Sequence, residues 1–423
     1  MSGATEATAT GEVTRILEPS AATGGAPRSA RSEPPAQRAT WAEIDLDAIA
    51  GNVAALKAHA SAPGLIAVVK ADGYGHGLVP SAQAALAGGA DRLAVALVEE
   101  GRALRAAGVD APILVMTEPP PEAAPALLAA GLEPTVYTAA FLAALDEAAR
   151  GGPPARAHVK LDTGMRRVGV PEADWEDALR RVGAAGAVAL EGLWSHFAVA
   201  DEPDHPFIAT QAATFERGLA RARALGARPA VVHLANSAGT LHLPETHYDL
   251  VRPGLAVYGL EPSPGLAGDV PLTPALAWYS RLSLVKRLAA GEGVSYGLTW
   301  QPSAPTTLGT VPAGYADGVV RALSNRGEVV TGGRRVGVAG RVCMDQFCVD
   351  LGEDGGQAGD EIALIGAQGS ARVTADDWAA WLGTINYEIT CGVGARVPRR
   401  YLEGGRVRPA GPSAPGAAGG GLG

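Results

Sequence analysis

The sequence predicts an α/β protein: an N-terminal (β/α)8 barrel of the TIM type followed by a mostly β C-terminal domain. Three observations predict it. Short apolar runs alternate with helix-like stretches eight times before about residue 272, the rhythm of strand–helix units. Single cations and imidazoles stand at or near the C-terminal ends of those runs, the face on which a barrel gathers its active site. Beyond residue 272 the rhythm changes to strand-like runs separated by Gly-rich turns.

In order, the apolar runs are Leu65–Lys70, Leu93–Leu97, Pro112–Met116, Glu133–Tyr137, Ala157–Leu161, Leu190–Phe197, Ala230–Leu234 and Tyr248–Tyr258. Several lack inside/outside alternation, as parallel strands covered on both faces do. Pro80–Ala87, Ala139–Arg150 and Thr210–Leu225 read as helices between them. Lys70, Lys160 with Asp162, His196, His233 and Arg252 lie near the ends of their runs. Polar loops account for one or two such residues, but not for all of them in apolar settings. A doubly wound sheet would spread them along an edge, whereas a barrel brings them together.

In the second domain Ala275–Lys286, Thr306–Pro312, Arg335–Val338, Cys348–Leu351 and Glu361–Ile365 read as strands, and Ala375–Leu382 as one helix. The early segment Trp41–Leu46 alternates like a strand and is expected to join this domain. The boundaries that follow are a tail at 1–38, the barrel at 39–272, the β domain at 273–407 and a tail at 408–423. Both tails are rich in Ala, Gly, Pro, Ser and Thr. They hold too few large apolar residues to offset ordering entropy and are expected to be disordered.

The 423 residues are 47% hydrophobic and 19% charged, ordinary for a globular protein. A net charge of -9 with scattered Lys and Arg favours neither a nucleic-acid backbone nor an anionic membrane as partner. Cys343, Cys348 and Cys391 lack CxxC spacing, which argues against a disulfide framework and a zinc site. Residues 1–38 lack the apolar core of a signal peptide, and no apolar run reaches the ~20 residues of a membrane span. A reducing cytoplasm is the expected location.

Residues 65–77, LIAVVKADGYGHG, end a buried strand in one lysine followed by three glycines. Desolvation lowers a lysine's pKa, and an unprotonated amine can condense with an aldehyde cofactor. A lysine that merely snorkels from a strand end gives the same local pattern. The wider sequence decides between them. Besides VVKADGYGHG the chain contains, in order, VKLDTGMRRVGV, WSHFAVADE, HLANSAG, VRPGLAVYGL, VSYGLTW, VPAGYADG, GRVCMDQ and INYEITC. In this order and spacing, from about Trp41 to about Arg400, they resemble the alanine racemase family.

The resemblance implies a pyridoxal 5'-phosphate (PLP) enzyme that interconverts L- and D-alanine, supplying D-alanine for cell-wall peptidoglycan. Lys70 then carries PLP and acts as one catalytic base, with Tyr296 of VSYG as the other. Two bases suit racemisation, because a single base tends to return the proton to the face it came from. Tyr74, Ser237, Gly254, Leu255 and Tyr387 match the family's phosphate contacts, and a hydroxyl with backbone amides after the last barrel strands is a common phosphate site. In ANSAG, Ser237 is also placed to cap a helix.

Arg252 matches the partner of the pyridine nitrogen. An arginine there only donates, leaving the nitrogen unprotonated and the ring a weaker electron sink. His196 and His233 match residues beside the cofactor that hydrogen-bond around Arg252; a packed core histidine is the plainer account of each. Arg167 and the Met344 backbone amide match substrate-carboxylate contacts, with Asp345 as neighbour, and Tyr315 and Tyr387 match tyrosines that narrow the mouth of the site. Lys160 matches a lysine carbamylated in many relatives; a salt bridge to Asp162 is the alternative. The resemblance implies no metal, and a head-to-tail homodimer in which Tyr296 and Met344 complete the partner's site. A serine or broader-specificity racemase of the same fold remains open, as does a non-catalytic PLP-binding protein.

Overall fold

The structure, a computed structural model, describes residues 38–408. Of the tails expected to be disordered, 1–38 and 408–423, all but Arg38 and Arg408 lie outside the described residues. Among the described residues the first element is strand β1 (Trp41–Asp45). The next eight strands form one parallel sheet: β2 (Gly64–Val68), β3 (Arg92–Val95), β4 (Ile113–Val115), β5 (Glu133–Val136), β6 (Ala155–Lys160), β7 (Val188–Trp194), β8 (Val231–His233) and β9 (Leu250–Val251), in the order β8–β7–β6–β5–β4–β3–β2–β9. The two ends of that order meet: the amides of Asp249 and Arg252 donate to the carbonyls of Val232 and Ala235 at 3.0 and 2.8 Å. The predicted barrel is present.

Each apolar run contributes a strand; β4 and β5 are covered on both faces throughout, as in parallel sheets, whereas the start of β7 and most of β8 are only partly covered. All five residues of β2, GLIAV, are buried. Between strands, helices bury one stripe. Trp175–Ala184 buries Trp175, Leu179 and Val182, a spacing of four and three residues that lies on one helical face. Ala139–Ala149 starts where the Thr138 hydroxyl accepts from the Phe141 amide, satisfying a helix-end donor.

Two expectations need correction. Tyr248–Tyr258 is a strand only at Leu250–Val251 and then turns into a 3-10 helix at Leu255–Tyr258; Pro253 has no amide with which to continue a ladder. Ala275–Lys286 is two strands, β10 (Leu276–Arg281) and β11 (Leu284–Leu288), in different sheets. The switch occurs at Leu282 and Ser283, whose amides donate to Asp360 and Thr310 respectively.

The second part comprises β12 (Thr306–Val311), β13 (Glu328–Thr331), β14 (Arg334–Gly337), β15 (Phe347–Gly352), β16 (Glu361–Gln368), β17 (Ala371–Val373), β18 (Arg399–Glu403) and β19 (Arg406–Val407). One sheet runs β14–β13–β16–β10–β1–β18–β19 with β17 beside β16, and a smaller one runs β11–β12–β15. β1 therefore lies between β10, antiparallel, and β18, parallel. Trp41 is buried there, with the Arg400 guanidinium 4.8 Å from its ring. Barrel and β layers share one contiguous apolar core. Among the described residues, no helix is long and apolar enough to cross a membrane.

Candidate active site

Lys70 follows β2 directly, and the chain then adopts positive φ at Ala71 (54°), Asp72 (53°), Gly73 (62°) and Tyr74 (52°). Left-handed backbone costs a non-glycine residue roughly 1–2 kcal/mol, so local contacts must hold it. The amides of Gly73 and Gly75 donate to the carbonyls of Val69 and Ala71. Glu100 accepts from the Ala71 amide, and Asp72 from that of Leu78, each at 2.7 Å. The turn brings Lys70 and Tyr74 to one cavity of about 660 Å3. Lys160, Arg167, His196 and Arg252 line it too, as do Ser237, Gly254, Leu255 and Tyr387.

Arg252 is buried beneath the cavity. Its Nη2 donates to the carbonyls of Ser195 and Leu234 at 2.9 and 3.3 Å and lies 3.1 Å from His196 Nδ1. Its Nη1 lies 2.9 Å from Nδ1 of His233, which stands behind it and does not line the cavity. Its Nε is buried without a partner. Burial pulls Arg252 down to about 9, so it stays charged at neutral pH. Burial first, and then the Arg252 charge, push His196 and His233 well below the ordinary histidine range. Both are neutral, and both offer Nδ1 as acceptor to a group that only donates.

At the far wall Ser237 Oγ accepts from the amides of Gly254 and Ala256 at 2.9 and 3.3 Å. The helix Ser237–His242 is capped not by Ser237 but by Asn236, whose side chain accepts from the Gly239 amide. This corrects the capping expectation and leaves the Ser237 hydroxyl with the loop amides. A Cβ on Gly254 would sit 2.3 Å from the Tyr74 hydroxyl, so only glycine permits that approach. Burial, reinforced by neighbouring Tyr387, raises the Tyr74 pKa and keeps its hydroxyl a donor at neutral pH.

The cavity carries excess positive charge. Burial, then the Arg167 charge, lower Lys70. Burial, then Arg252, Arg167 and Lys70, bring Lys160 down to about 7. Lys160 Nζ sits 4.2 Å from the Trp194 ring centre. Asp162 is engaged elsewhere, accepting from the amides of Gly164 and Arg166 and lying 3.6 Å from the Arg166 side chain.

Tyr296, Met344, Tyr315 and Asp345 do not line this cavity. Tyr296 is 72% exposed, Met344 53% and Tyr315 44%. Their loops lie together: Ser295 Oγ donates to the Arg341 carbonyl, and the amides of Tyr315 and Ala316 donate to the carbonyls of Cys343 and Met344. Asp345 is tied to Arg396 at 2.8 Å.

The family model for the alanine racemase N-terminal domain matches residues 44–262, and that for the C-terminal domain matches 275–401. The chain belongs to the alanine racemase family. It is 50% identical over 370 residues to the alanine racemase of Frankia casuarinae, covering 85% of this chain and 96% of that one. It is 48% identical over 366 residues to that of Symbiobacterium thermophilum, covering 86% and 97%. The solved alanine racemase of Streptomyces lavendulae superposes with a TM-score of 0.85 at 46% identity, over 88% of this chain and 98% of its own. That of Bacillus anthracis, solved with bound L-Ala-P, gives 0.84 at 38% identity, over 88% and 97%.

Against this family background the cavity adds residues that motif matching passed over. Cys391, Asn236 and Met116 line it. Cys391 closes INYEITC four residues after Tyr387 in the helix Asn386–Cys391, and that i, i+4 spacing places both side chains on one face.

Proposed function

We propose that the chain is a PLP-dependent racemase that interconverts L- and D-alanine, through Lys70 and Tyr296 as bases, and so supplies D-alanine for peptidoglycan. The observation that carries this reading is the buried, unpartnered Nε–H of Arg252 beneath the same cavity as Lys70. It fits an unprotonated pyridine nitrogen, an acceptor that carries no proton of its own. When bound, PLP supplies an aldehyde for an amine and a conjugated ring that acidifies the substrate's α-C–H. Lys70 holds the cofactor, and its lowered pKa makes the unprotonated amine accessible. Tyr74, the Ser237 hydroxyl, the Gly254 and Leu255 amides and Tyr387 hold the phosphate. Arg252 leaves the ring nitrogen unprotonated, which limits charge drawn into the ring and favours returning the proton to the α-carbon. His196 and His233 hold Arg252.

Arg167 and the Met344 amide orient the substrate carboxylate, with Asp345 supporting the Met344 loop. Lys70 moves the α-proton on one face and Tyr296 on the other. Tyr315 and Tyr387 narrow the mouth, which favours a side chain as small as methyl. With its pKa brought down to about 7, Lys160 presents far more unprotonated amine at neutral pH than an ordinary lysine does. That amine adds to CO2 and releases a proton. The resulting carbamate anion offsets the surrounding cations and positions Arg167.

The exposure of Tyr296, Met344 and Tyr315 supports a head-to-tail homodimer in which this patch completes the partner's cavity. The working parts are the barrel, 39–272, and the β domain, 273–407. The test is the optical rotation of L-alanine. It should decay to zero with the PLP-loaded enzyme and hold steady without PLP; rotation that persists with the loaded enzyme contradicts the reading. L-serine, assayed alongside, should lose rotation more slowly.

A further inference from the structure

Behind Arg252 a buried polar chain runs the length of the barrel. His233 ends β8, and its Nε2 lies 3.1 Å from Nδ1 of His158 on β6. His158 Nε2 lies 3.2 Å from Oε2 of Glu133, the first residue of β5. All three residues are buried, the two histidines completely. The approach depends on Gly192, which pairs with His158 across β6 and β7. A Cβ there would lie 2.0 Å from His158 Nδ1.

Only one arrangement of protons satisfies this chain. Arg252 donates from Nη1, so His233 accepts at Nδ1 and carries its proton on Nε2. His158 then accepts at Nδ1 and carries its proton on Nε2, which Glu133 accepts as a carboxylate. A fixed donor at one end and an acceptor at the other set the direction. Glu133 is held as an anion at the opposite mouth of the barrel. Arg92, the first residue of β3, lies 2.8 Å from its Oε2, and Arg156 lies 3.1 Å from its Oε1. Glu191 lies 2.8 and 2.7 Å from the same two arginines. Burial alone would raise Glu133, but the hydrogen bond from His158 and the charges of Arg92 and Arg156 leave it below the usual carboxylate range. Burial lowers His158, so its contact with Glu133 is a hydrogen bond from a neutral ring.

We propose that Glu133 and His158 are positioning residues for Arg252: they lock His233 in its Nε2–H form, so that its Nδ1 holds the guanidinium with Nε–H turned to the cavity. The role in turnover rests on the reading of Arg252 as the ring-nitrogen partner; the proton order does not. Without this lock His233 can present Nδ1–H to Arg252, two donors face each other, and the guanidinium loses its aim.

The experiment is 15N NMR of the PLP-loaded enzyme labelled at its eight histidines, with His158→Leu assigning the His158 ring. The wild type should show His158 and His233 neutral and protonated on Nε2. A proton on Nδ1 of either ring, or a doubly protonated ring, overturns the proposal without any variant having to fold. In Glu133→Ala the His158 ring should average between tautomers, and kcat for L-alanine should fall about tenfold, the size of one lost hydrogen bond, with KM within twofold. Glu133→Gln keeps an acceptor oxygen and should lie between Glu133→Ala and the wild type. A shifted tautomer with kcat unchanged would also overturn the positioning role. An inactive wild type with both rings protonated on Nε2 would instead sink the racemase reading and leave the proton order standing.

Discussion

Lys70 has its reactivity written into its surroundings. It leaves a fully buried strand, and Arg167 and Arg252 both disfavour its charged form. Borohydride treatment of the PLP-loaded enzyme should therefore bleach its colour and fix a pyridoxyl group on Lys70, read by peptide mapping; a label on another lysine would overturn the assignment. Lys160 lies in the same cationic field and carries the sharper pH signature. Its pKa of about 7 lies below that of an ordinary lysine, so its reactive neutral form grows as pH rises through 7. With 13CO2 the carbamate carbon should be weak at pH 6 and strong at pH 8 by 13C NMR, and absent in Lys160→Ala. An equal signal at both pH values would contradict the pKa ordering. Arg252→Glu replaces a donor by an acceptor beneath the ring. Racemisation should slow on the order of a hundredfold, with pyridoxamine phosphate accumulating as a side product; slowing without that product would refute the electronic role of Arg252.

At the level of elements, the sequence made the barrel strands legible because burial on both faces leaves continuous apolar runs. The same property hid the break at Leu282, where apolar residues continue on both sides while the backbone moves from one sheet to another. It also lengthened the last barrel run, because Leu255–Tyr258 is as buried as a strand yet forms a 3-10 helix. Residues that end strands near Gly-rich turns stood out; Glu133 and His158 did not. Glu133 opens one apolar run and His158 lies within the next, and they find each other only through the parallel register of β5 and β6. Gly192 likewise looks ordinary until His158 is seen against it. Gly192→Ala should force the imidazole aside and destabilise the fold by about 1–3 kcal/mol, measured as a lower urea midpoint. An unchanged midpoint would show that the ring has room to yield.

For the whole molecule, one fact organises the rest: the cavity that holds Lys70 lacks Tyr296, and Tyr296 stands exposed on the β layer. Leu298 and Met344, 60% and 53% exposed, accompany it, forming an apolar, aromatic patch of the kind that buries on association. Sequence motifs implied both bases, but no single-chain pattern reveals the distance between them, which depends on how the β layer is carried beyond the barrel mouth. The proposed pairing of Lys70 with Tyr296 requires two chains per site. Lys70→Ala and Tyr296→Phe should each be inactive alone. After unfolding and refolding together, half the dimers should be hybrids, each with one intact site of two. Alanine racemisation should then return to about a quarter of wild type. Mass spectrometry of differently tagged chains establishes that hybrids have formed. Shared sites predict a quarter of the activity in confirmed hybrids; confirmed hybrids with none would contradict them and place both bases within one chain.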